Sequence, residues 1–224
     1  MLKLFLLRHG ETQFNLQEKV QGWNDSPLTQ KGLYQAKCAG YGLKDTIFEI
    51  AYSGDTLRQV DTARTFLSEN SVKTKIIPDY HFREMGYGRY EGGSYIDMLG
   101  PLFEEKHVPY SGYEGLYKFY NDIEIVTLLH KNDQSGKFEG ISKATQRLKE
   151  GLQMIIENHD EGNILISTSS FAICLIINEL FKDFKQPRLV DNASVTKIGY
   201  DGSFVLLDYN NITYRKAGEE HYKE

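Results

Sequence analysis

The segment Leu6-Leu7-Arg8-His9-Gly10-Glu11-Thr12 carries the sharpest chemical signal in the chain. The apolar run Leu2 to Leu7 reads as a buried strand that delivers a cation and an imidazole to its carboxyl end, and a glycine there lets the backbone turn tightly. In open α/β sheets, ligands bind at that edge. A guanidinium offers a fixed fork of donors to the oxygens of an anion such as phosphate, and a neutral imidazole is a good nucleophile near neutral pH. By themselves, Arg8 and His9 fit a polar strand end on the surface equally well, so other segments must decide.

Those segments form a regular series. Thr29 can cap a helix running to about Tyr41, Phe48–Ser53 reads as a strand, and a helical stretch follows from Asp55 to about Leu67. Val72–Ile77 gives a third strand, closed by Pro78. The stretch from about Gly92 to Gly140 breaks the rhythm; it is rich in Tyr and Gly, with one helical stretch around Glu114–Leu129, and reads as an inserted cap. The alternation resumes with a helix at Ser142–Asn158, a strand at Asn163–Ser167 and a nearly all-apolar helix at Phe171–Phe181. Two last strands, Val195–Tyr200 and Phe204–Tyr209, meet at the hairpin signal Asp201-Gly202, and the charged tail after Lys216 reads as a mobile end. The expected fold class is α/β: a single domain of 224 residues forming a three-layer α/β/α sandwich over a mostly parallel central sheet, with a helical cap at about residues 92–140.

Composition narrows the partners. Lys and Arg total 26 against 31 Asp and Glu, a net charge of −5 that excludes the broad basic footprint of a nucleic-acid binder but not a small positive pocket. The longest apolar run, Phe171–Ile177, is far short of the roughly 20 residues that cross a bilayer. Met1–Leu7 is followed at once by Arg8-His9-Gly10 with no small-residue cleavage site, so it reads as a strand rather than a signal peptide. Cys38 and Cys174 stand far apart with no metal-ligand spacing, as expected of a reduced, cytoplasmic protein. No cofactor is expected and no His or carboxylate cluster asks for a metal; the exposed edge of Phe204–Tyr209 could pair two copies into a homodimer.

Several ordered blocks together resemble the histidine phosphatase superfamily, also called the phosphoglycerate-mutase-like family. They are Arg8-His9-Gly10, Asn15, Gln21-Gly22-Trp23-Asn24-Asp25-Ser26-Pro27-Leu28-Thr29, Gly32 with Gln35-Ala36, Ser53 with Leu57-Arg58 and Thr62-Ala63, Arg83 to Gly92, and Asn192-Ala193-Ser194-Val195-Thr196. The resemblance implies phosphoryl transfer in two steps through a phosphohistidine on His9, from a small phosphorylated substrate to water. It casts Arg8 and Arg58 as clamps on the phosphoryl oxygens, Asn15 as a neutral donor, Gln21 and Gly22 as lining, and Glu84 as the proton donor to the leaving oxygen. Glu11 and Glu91 are weaker acid candidates and read as solvated or structural.

One departure matters. The family carries a second histidine after the strand that precedes its last apolar helix, and here Thr168 stands at that point, followed by Ser169 and Ser170. Losing one preorganised stabilising donor costs about 2.7–4 kcal/mol, or roughly 10²–10³ in rate. The hydroxyls of Thr168, Ser169 and Ser170 and the following helix N-terminus remain as phosphate ligands, so binding should survive better than turnover. His107 and His130 in the cap, His81, His159 and His221 all read more readily as surface residues than as substitutes. Gly140-Ile141-Ser142 also departs from the family's Gly-Glu-Ser, removing a polar contact at the mouth of the pocket. Tyr95, Tyr110, Tyr113, Tyr117 and Tyr120 fit either the lining for a ring-bearing leaving group or packing between cap and sheet. The expected activity is phosphomonoester hydrolysis with turnover reduced by Thr168. The alternatives are a weakened member that binds a phosphorylated ligand, and a phosphoglycerate mutase; against the mutase, the Glu84 segment lacks Asn-Glu-Arg-His-Tyr-Gly.

Overall fold

The computed structural model describes residues 1–184 and 189–223. A six-stranded sheet in the order β3-β2-β4-β1-β5-β6 is built from β1 (Leu2–Arg8), β2 (Ile50–Ser53), β3 (Ile76–Pro78), β4 (Gly162–Thr168), β5 (Val195–Tyr200) and β6 (Phe204–Asn211). β1 to β4 are parallel, and β5 runs antiparallel to both β1 and β6. Helices α1 (Gln13–Leu16), α2 (Gln30–Tyr41), α3 (Leu57–Leu67), α4 (Tyr95–Glu105), α5 (Gly112–Leu116), α6 (Asp122–Asn132), α7 (Ile141–Asn158), α8 (Ser170–Leu180) and α9 (Thr213–His221) complete the chain.

Alternation along the strands assigns the layers. Leu2, Leu4 and Leu6 of β1 join Ile164 and Ile166 of β4 in a core shared with α4, α6, α7 and α8. Phe5, Leu7 and Leu165 point the other way, into a core with Ala39, Ala63 and Phe66 of α2 and α3. Both sheet faces are therefore covered, which is why β1 reads as a nearly unbroken apolar run. α8 is buried from Ser170 through Ile177, as a helix apolar on all sides must be. α7 is amphipathic, and its buried stripe of Ala144, Leu148, Gly151, Leu152 and Ile155 also holds an arginine, Arg147.

The elements differ from expectation in four places. β3 is shorter than Val72–Ile77 and includes Pro78, which an edge strand tolerates because one side needs no donor. The single cap helix is instead α5 and α6, separated where Asn121 starts α6 with a capping box to Glu124. α4 was not expected; it runs through Gly100-Pro101, and Met98, Leu99, Leu102 and Phe103 bury its apolar face. The tail forms α9 rather than a mobile end: Gly218 is buried against α2, and His221 stacks on Tyr41 at 4.0 Å between ring centroids. Among the described residues no helix is long and apolar enough to cross a membrane.

The sheet brings chemistry to the carboxyl ends of β1 and β4. Arg8 is in register with Thr168, and the His9 amide donates to the Thr168 carbonyl at 3.0 Å. Glycine is required just beyond: a Cβ on Gly10 would lie 2.3 Å from the Gly32 carbonyl oxygen, where the first turn of α2 crosses the strand end.

Candidate active site

A cavity of about 530 Å³ opens at these strand ends, with Arg8, His9, Asn15, Gln21, Glu84 and Ser170 on its polar side. His9 is buried, and its Nδ1 lies 2.8 Å from the Gly10 carbonyl oxygen. A carbonyl only accepts, so Nδ1 carries the proton and Nε2 keeps its lone pair. Burial, and then the charges of Arg58 and Arg8, hold the imidazole pKa well below its ordinary value, which keeps the ring neutral. The Asn192 amide fixes the same residue from behind, donating to the His9 carbonyl at 3.0 Å.

Glu84 is buried in the same cavity wall. Its Oε1 accepts from the Met85 amide at 2.7 Å and its Oε2 from the Phe171 amide at 3.0 Å, in the first turn of α8. Burial pushes the carboxyl pKa up, against the pull of those two amides and of Arg58 and Arg147. The helix N-terminus expected to face a substrate anion thus already holds this carboxyl. The result is a neutral base and an acid whose proton affinity is raised, in one cavity.

Asn15 lines the cavity, and its Oδ1 accepts from the Thr12 amide at 3.1 Å in the capping box of α1. Gln21 is held by the Thr12 hydroxyl at 2.7 Å and donates to Ser26 Oγ at 3.1 Å. Arg8 bonds the Val190 carbonyl through Nη1, while its Nε is buried without a partner among the described residues.

Arg58, Gly22 and Thr168 lie behind this wall rather than among the residues lining it. Arg58 is fully buried, with Nη2 on the Gly22 carbonyl at 2.7 Å and Nη1 on the Asn24 carbonyl at 2.9 Å and Asp25 Oδ1 at 3.1 Å. Both Nη groups are thus turned to the 22–25 loop, while Nε is buried without a partner among the described residues. Gly22 serves packing: a Cβ there would lie 2.3 Å from both Glu91 Oε1 and the Met85 carbonyl oxygen. The Thr168 hydroxyl donates to the Phe82 carbonyl at 2.7 Å and has no second proton for a phosphoryl oxygen. Ser169 accepts from Gln59 Nε2 at 2.8 Å.

None of the other described histidines reaches the cavity. His81 pairs with Asp79 at 2.7 Å, His159 meets the Tyr52 hydroxyl at 3.2 Å, His130 stacks on Phe138, and His107 is exposed. Glu11 is tied to Lys31 at 2.8 Å and to the Thr29 hydroxyl at 2.9 Å.

Two residues support the site from outside the cavity, and the sequence reading missed Arg147. Glu91, a weaker acid candidate read as solvated or structural, accepts from four backbone amides: Trp23 at 2.8 Å, Tyr87 at 2.9 Å, Asn24 at 3.0 Å and Gly22 at 3.1 Å. It thereby shapes the loop that holds Arg58. Arg147 forks onto Glu139 at 2.7 and 2.9 Å and donates to the carbonyls of Tyr80, His81, Arg83 and Glu84 at 3.2, 2.7, 3.1 and 3.2 Å. The signal for Arg147 was its place on an apolar helix stripe, where a buried guanidinium requires acceptors. Glu91 offered no such signal, because three of its four partners lie more than sixty residues away in sequence.

The profile of the Histidine phosphatase superfamily (branch 1) matches residues 4–108 and 113–213. A phosphoglycerate mutase from Bacillus anthracis strain Sterne has the same fold, with a TM-score of 0.88 and 32% identity over 97% of this chain and 96% of its own. The adenosylcobalamin/alpha-ribazole phosphatase of Escherichia coli strain K12 is 28% identical over 179 residues, 80% of this chain and 79% of its own. A phosphoserine phosphatase variant from Entamoeba histolytica, in complex with phosphoserine, shares the fold at a TM-score of 0.70, with 23% identity over 96% of this chain and 99% of its own.

Proposed function

Because the chain belongs to the histidine phosphatase superfamily, branch 1, we propose that it hydrolyses small phosphomonoesters through a phosphohistidine on His9. The observation that carries this is the pairing in one cavity of a neutral imidazole, Nε2 free, with a buried carboxyl that favours its proton. The Nε2 lone pair forms the N–P bond as the ester P–O bond breaks, and Glu84 gives its proton to the departing oxygen. The Glu84 carboxylate then takes a proton from water as the water oxygen attacks phosphorus. The N–P bond breaks, inorganic phosphate leaves, and both side chains return to their starting forms.

In this reading Arg8 and the Asn15 amide hold the phosphoryl oxygens, and the buried charge of Arg58 acts from behind while its head shapes the 22–25 loop. Residues 92–140 serve as a cap, since Tyr95, Met98 and Tyr113 from that stretch line the cavity. Thr168 stands in place of the family's second histidine; with its hydroxyl on Phe82 it supplies no donor to phosphate, and turnover is slowed accordingly. The relatives' names span mutases and phosphatases, and water is the acceptor we assign here, because the Glu84 segment reads Arg83-Glu84-Met85-Gly86 rather than the mutase wording.

The test is hydrolysis of para-nitrophenyl phosphate without added metal, with His9→Ala and Glu84→Gln beside the parent, and acid-quenched protein examined for phosphohistidine by mass spectrometry. Parent activity that disappears in His9→Ala, with a phosphoryl adduct mapped to His9, is the expected result. Equal activity in parent and His9→Ala overturns the assignment.

A further inference from the structure

The parallel ladder of β1 with β4 ends at the pair Arg8 and Thr168, so the backbone just beyond it is held by other means. The peptide that enters His9 is fixed by its amide on the Thr168 carbonyl at 3.0 Å. The peptide that leaves it is held by side chains on both sides. Its N–H, on Gly10, donates to Thr62 Oγ1 at 3.1 Å, and its carbonyl, on His9, accepts from Asn192 Nδ2 at 3.0 Å. Fixing both polar groups of a planar unit fixes its plane, and with it one of the two backbone dihedrals from which the imidazole projects. The Ala193 amide stands 3.4 Å from the same carbonyl but lies nearer the Arg8 carbonyl, at 3.1 Å. Asn192 Nδ2 is also 3.5 Å from Asn15 Oδ1, so one amide group meets the nucleophile's backbone and a residue of the cavity wall.

Asn192 lies in the loop before β5, so contacts must set its place. Its neighbour Asp191 is clipped to β6: the Asp191 amide donates to Asn210 Oδ1 at 2.8 Å, and Asp191 Oδ2 accepts from Asn210 Nδ2 at 2.9 Å. Asn192 itself is held from α9, where Arg215 Nη1 donates to the Asn192 carbonyl at 2.6 Å. Arg215 Nε faces Glu219 Oε1 at 3.2 Å one turn along the helix, and the arginine side chain is 16% exposed, so this charge-assisted bond is largely shielded from water. Ala193 and Ser194 do not need that support, because they bond Arg8 through the main chain at 3.1 and 3.2 Å. Arg215 is absent from the active-site lining; it stands in the wall of a separate cavity with Glu11, Gln35 and Asn192.

We propose that Arg215 is a positioning residue for His9: by fixing the Asn192 carbonyl it holds the Asn192 amide against the His9–Gly10 peptide and so aims the imidazole. The role rests on the phosphatase reading for what the aimed ring does, whereas the orientation of His9 can be read without turnover. The relay Arg215–Asn192–His9 joins α9 to the catalytic strand end from outside the cavity. Because attack requires the nitrogen lone pair in line with the breaking bond, a small rotation of this peptide acts on the rate of the chemical step more than on binding.

Arg215→Met keeps the stem and loses the bond. It should lower kcat on para-nitrophenyl phosphate about tenfold or more while KM changes less than about threefold, and Arg215→Lys, which keeps a donor, should recover part of the loss. Glu219→Gln removes the ion pair within α9 and leaves the bond to Asn192, so its kcat should stay within about twofold of the parent. In an Asn192→Ala background, Arg215→Met should cost at most about twofold more, because the amide it positions is gone; losses that multiply across the two sites overturn the proposal. Nuclear magnetic resonance of isotope-labelled imidazole nitrogens in the full chain needs no turnover: Arg215→Met should shift or broaden the His9 signals, and Glu219→Gln should not. If Arg215→Met fails to fold, Arg215→Lys is read in its place. His9 signals unchanged in the folded Arg215 variant overturn the proposal, whatever the rates. A shift of those signals, in a protein whose parent shows no His9-dependent hydrolysis, upholds the positioning and refutes the phosphatase reading.

Discussion

Replacing Arg147 by Met removes a network that can be counted bond by bond. The guanidinium and the Glu139 carboxylate are each about 8% exposed, so the pair is almost fully desolvated. Met keeps the apolar stem on α7 but leaves Glu139 with the Gly86 amide at 3.1 Å as a remaining donor, and strips the carbonyls of Tyr80, His81, Arg83 and Glu84 of a shared one. Breaking a buried pair from one side costs about 3–5 kcal/mol. For a chain of this length, roughly 2–4 °C in Tm per kcal/mol gives a fall of about 6–20 °C. Removing Glu139 as well, in Arg147→Met with Glu139→Leu, should recover about 1–3 kcal/mol because no lone charge is left buried. The catalytic effect follows from Glu84, whose carbonyl is held by Arg147 on one side and by the Trp23 indole at 3.0 Å on the other. Misplacing an acid by about 1 Å costs on the order of 10²-fold, so kcat on para-nitrophenyl phosphate should fall more than KM rises. Thermal unfolding and steady-state kinetics are run on both variants at a temperature where each is folded. A Tm within about 2 °C of the parent refutes the desolvated network, and an unchanged kcat in the folded variant refutes its link to Glu84.

Other consequences are equally open to measurement. His9 is held below its unfolded pKa, so the folded state binds fewer protons: stability is intact above about pH 6.5 and is lost as pH falls toward the folded value. His9→Asn should therefore lose less stability on acidification than the parent in chemical unfolding, and equal losses refute the neutral imidazole. The raised pKa of Glu84 places the alkaline limb of the rate profile above the ordinary carboxylate range, with activity lost as pH rises through it. Glu84→Gln should lower kcat by about 10²–10⁴ and abolish that limb; a limb that persists belongs to another group. Glu91→Gln turns an amide toward backbone donors and should cost about 2–3 kcal/mol in urea unfolding together with a loss of activity, whereas a silent substitution refutes its hold on the 22–25 loop. Thr168→Val removes the bond to Phe82 at about 1 kcal/mol while KM stays within about twofold; a tenfold rise in KM would put the hydroxyl on the phosphate after all.

The order of elements was legible because their signals are local. Period-two and period-3.6 patterns, Thr29 as a cap and Asp201-Gly202 as a hairpin predicted β1, α2, α7, α8, β5 and β6 close to their observed bounds. Local reading failed where tertiary burial outweighed propensity. α4 persists through Gly100-Pro101 because its apolar face is covered, and α9 persists in a charged tail because Gly218 lets it approach α2 closely.

The same division runs through the site. The strand-end motif placed Arg8 and His9 together at the carboxyl end of a sheet strand, and the ordered blocks pointed to the family. Sequence could not show that Arg58 faces a loop, that Thr168 has its proton on Phe82, or that Tyr95, Tyr110 and Tyr113 line a cavity while Tyr117 and Tyr120 are tied elsewhere. Each outcome depends on which acceptor lies within about 3 Å once distant segments have packed. Glu84 finds the Phe171 amide across 87 residues, and Arg147 finds the Tyr80 carbonyl across 67. Residue type determines what a side chain can donate or accept; only the tertiary structure decides what remains for a substrate after the protein's own groups have been satisfied.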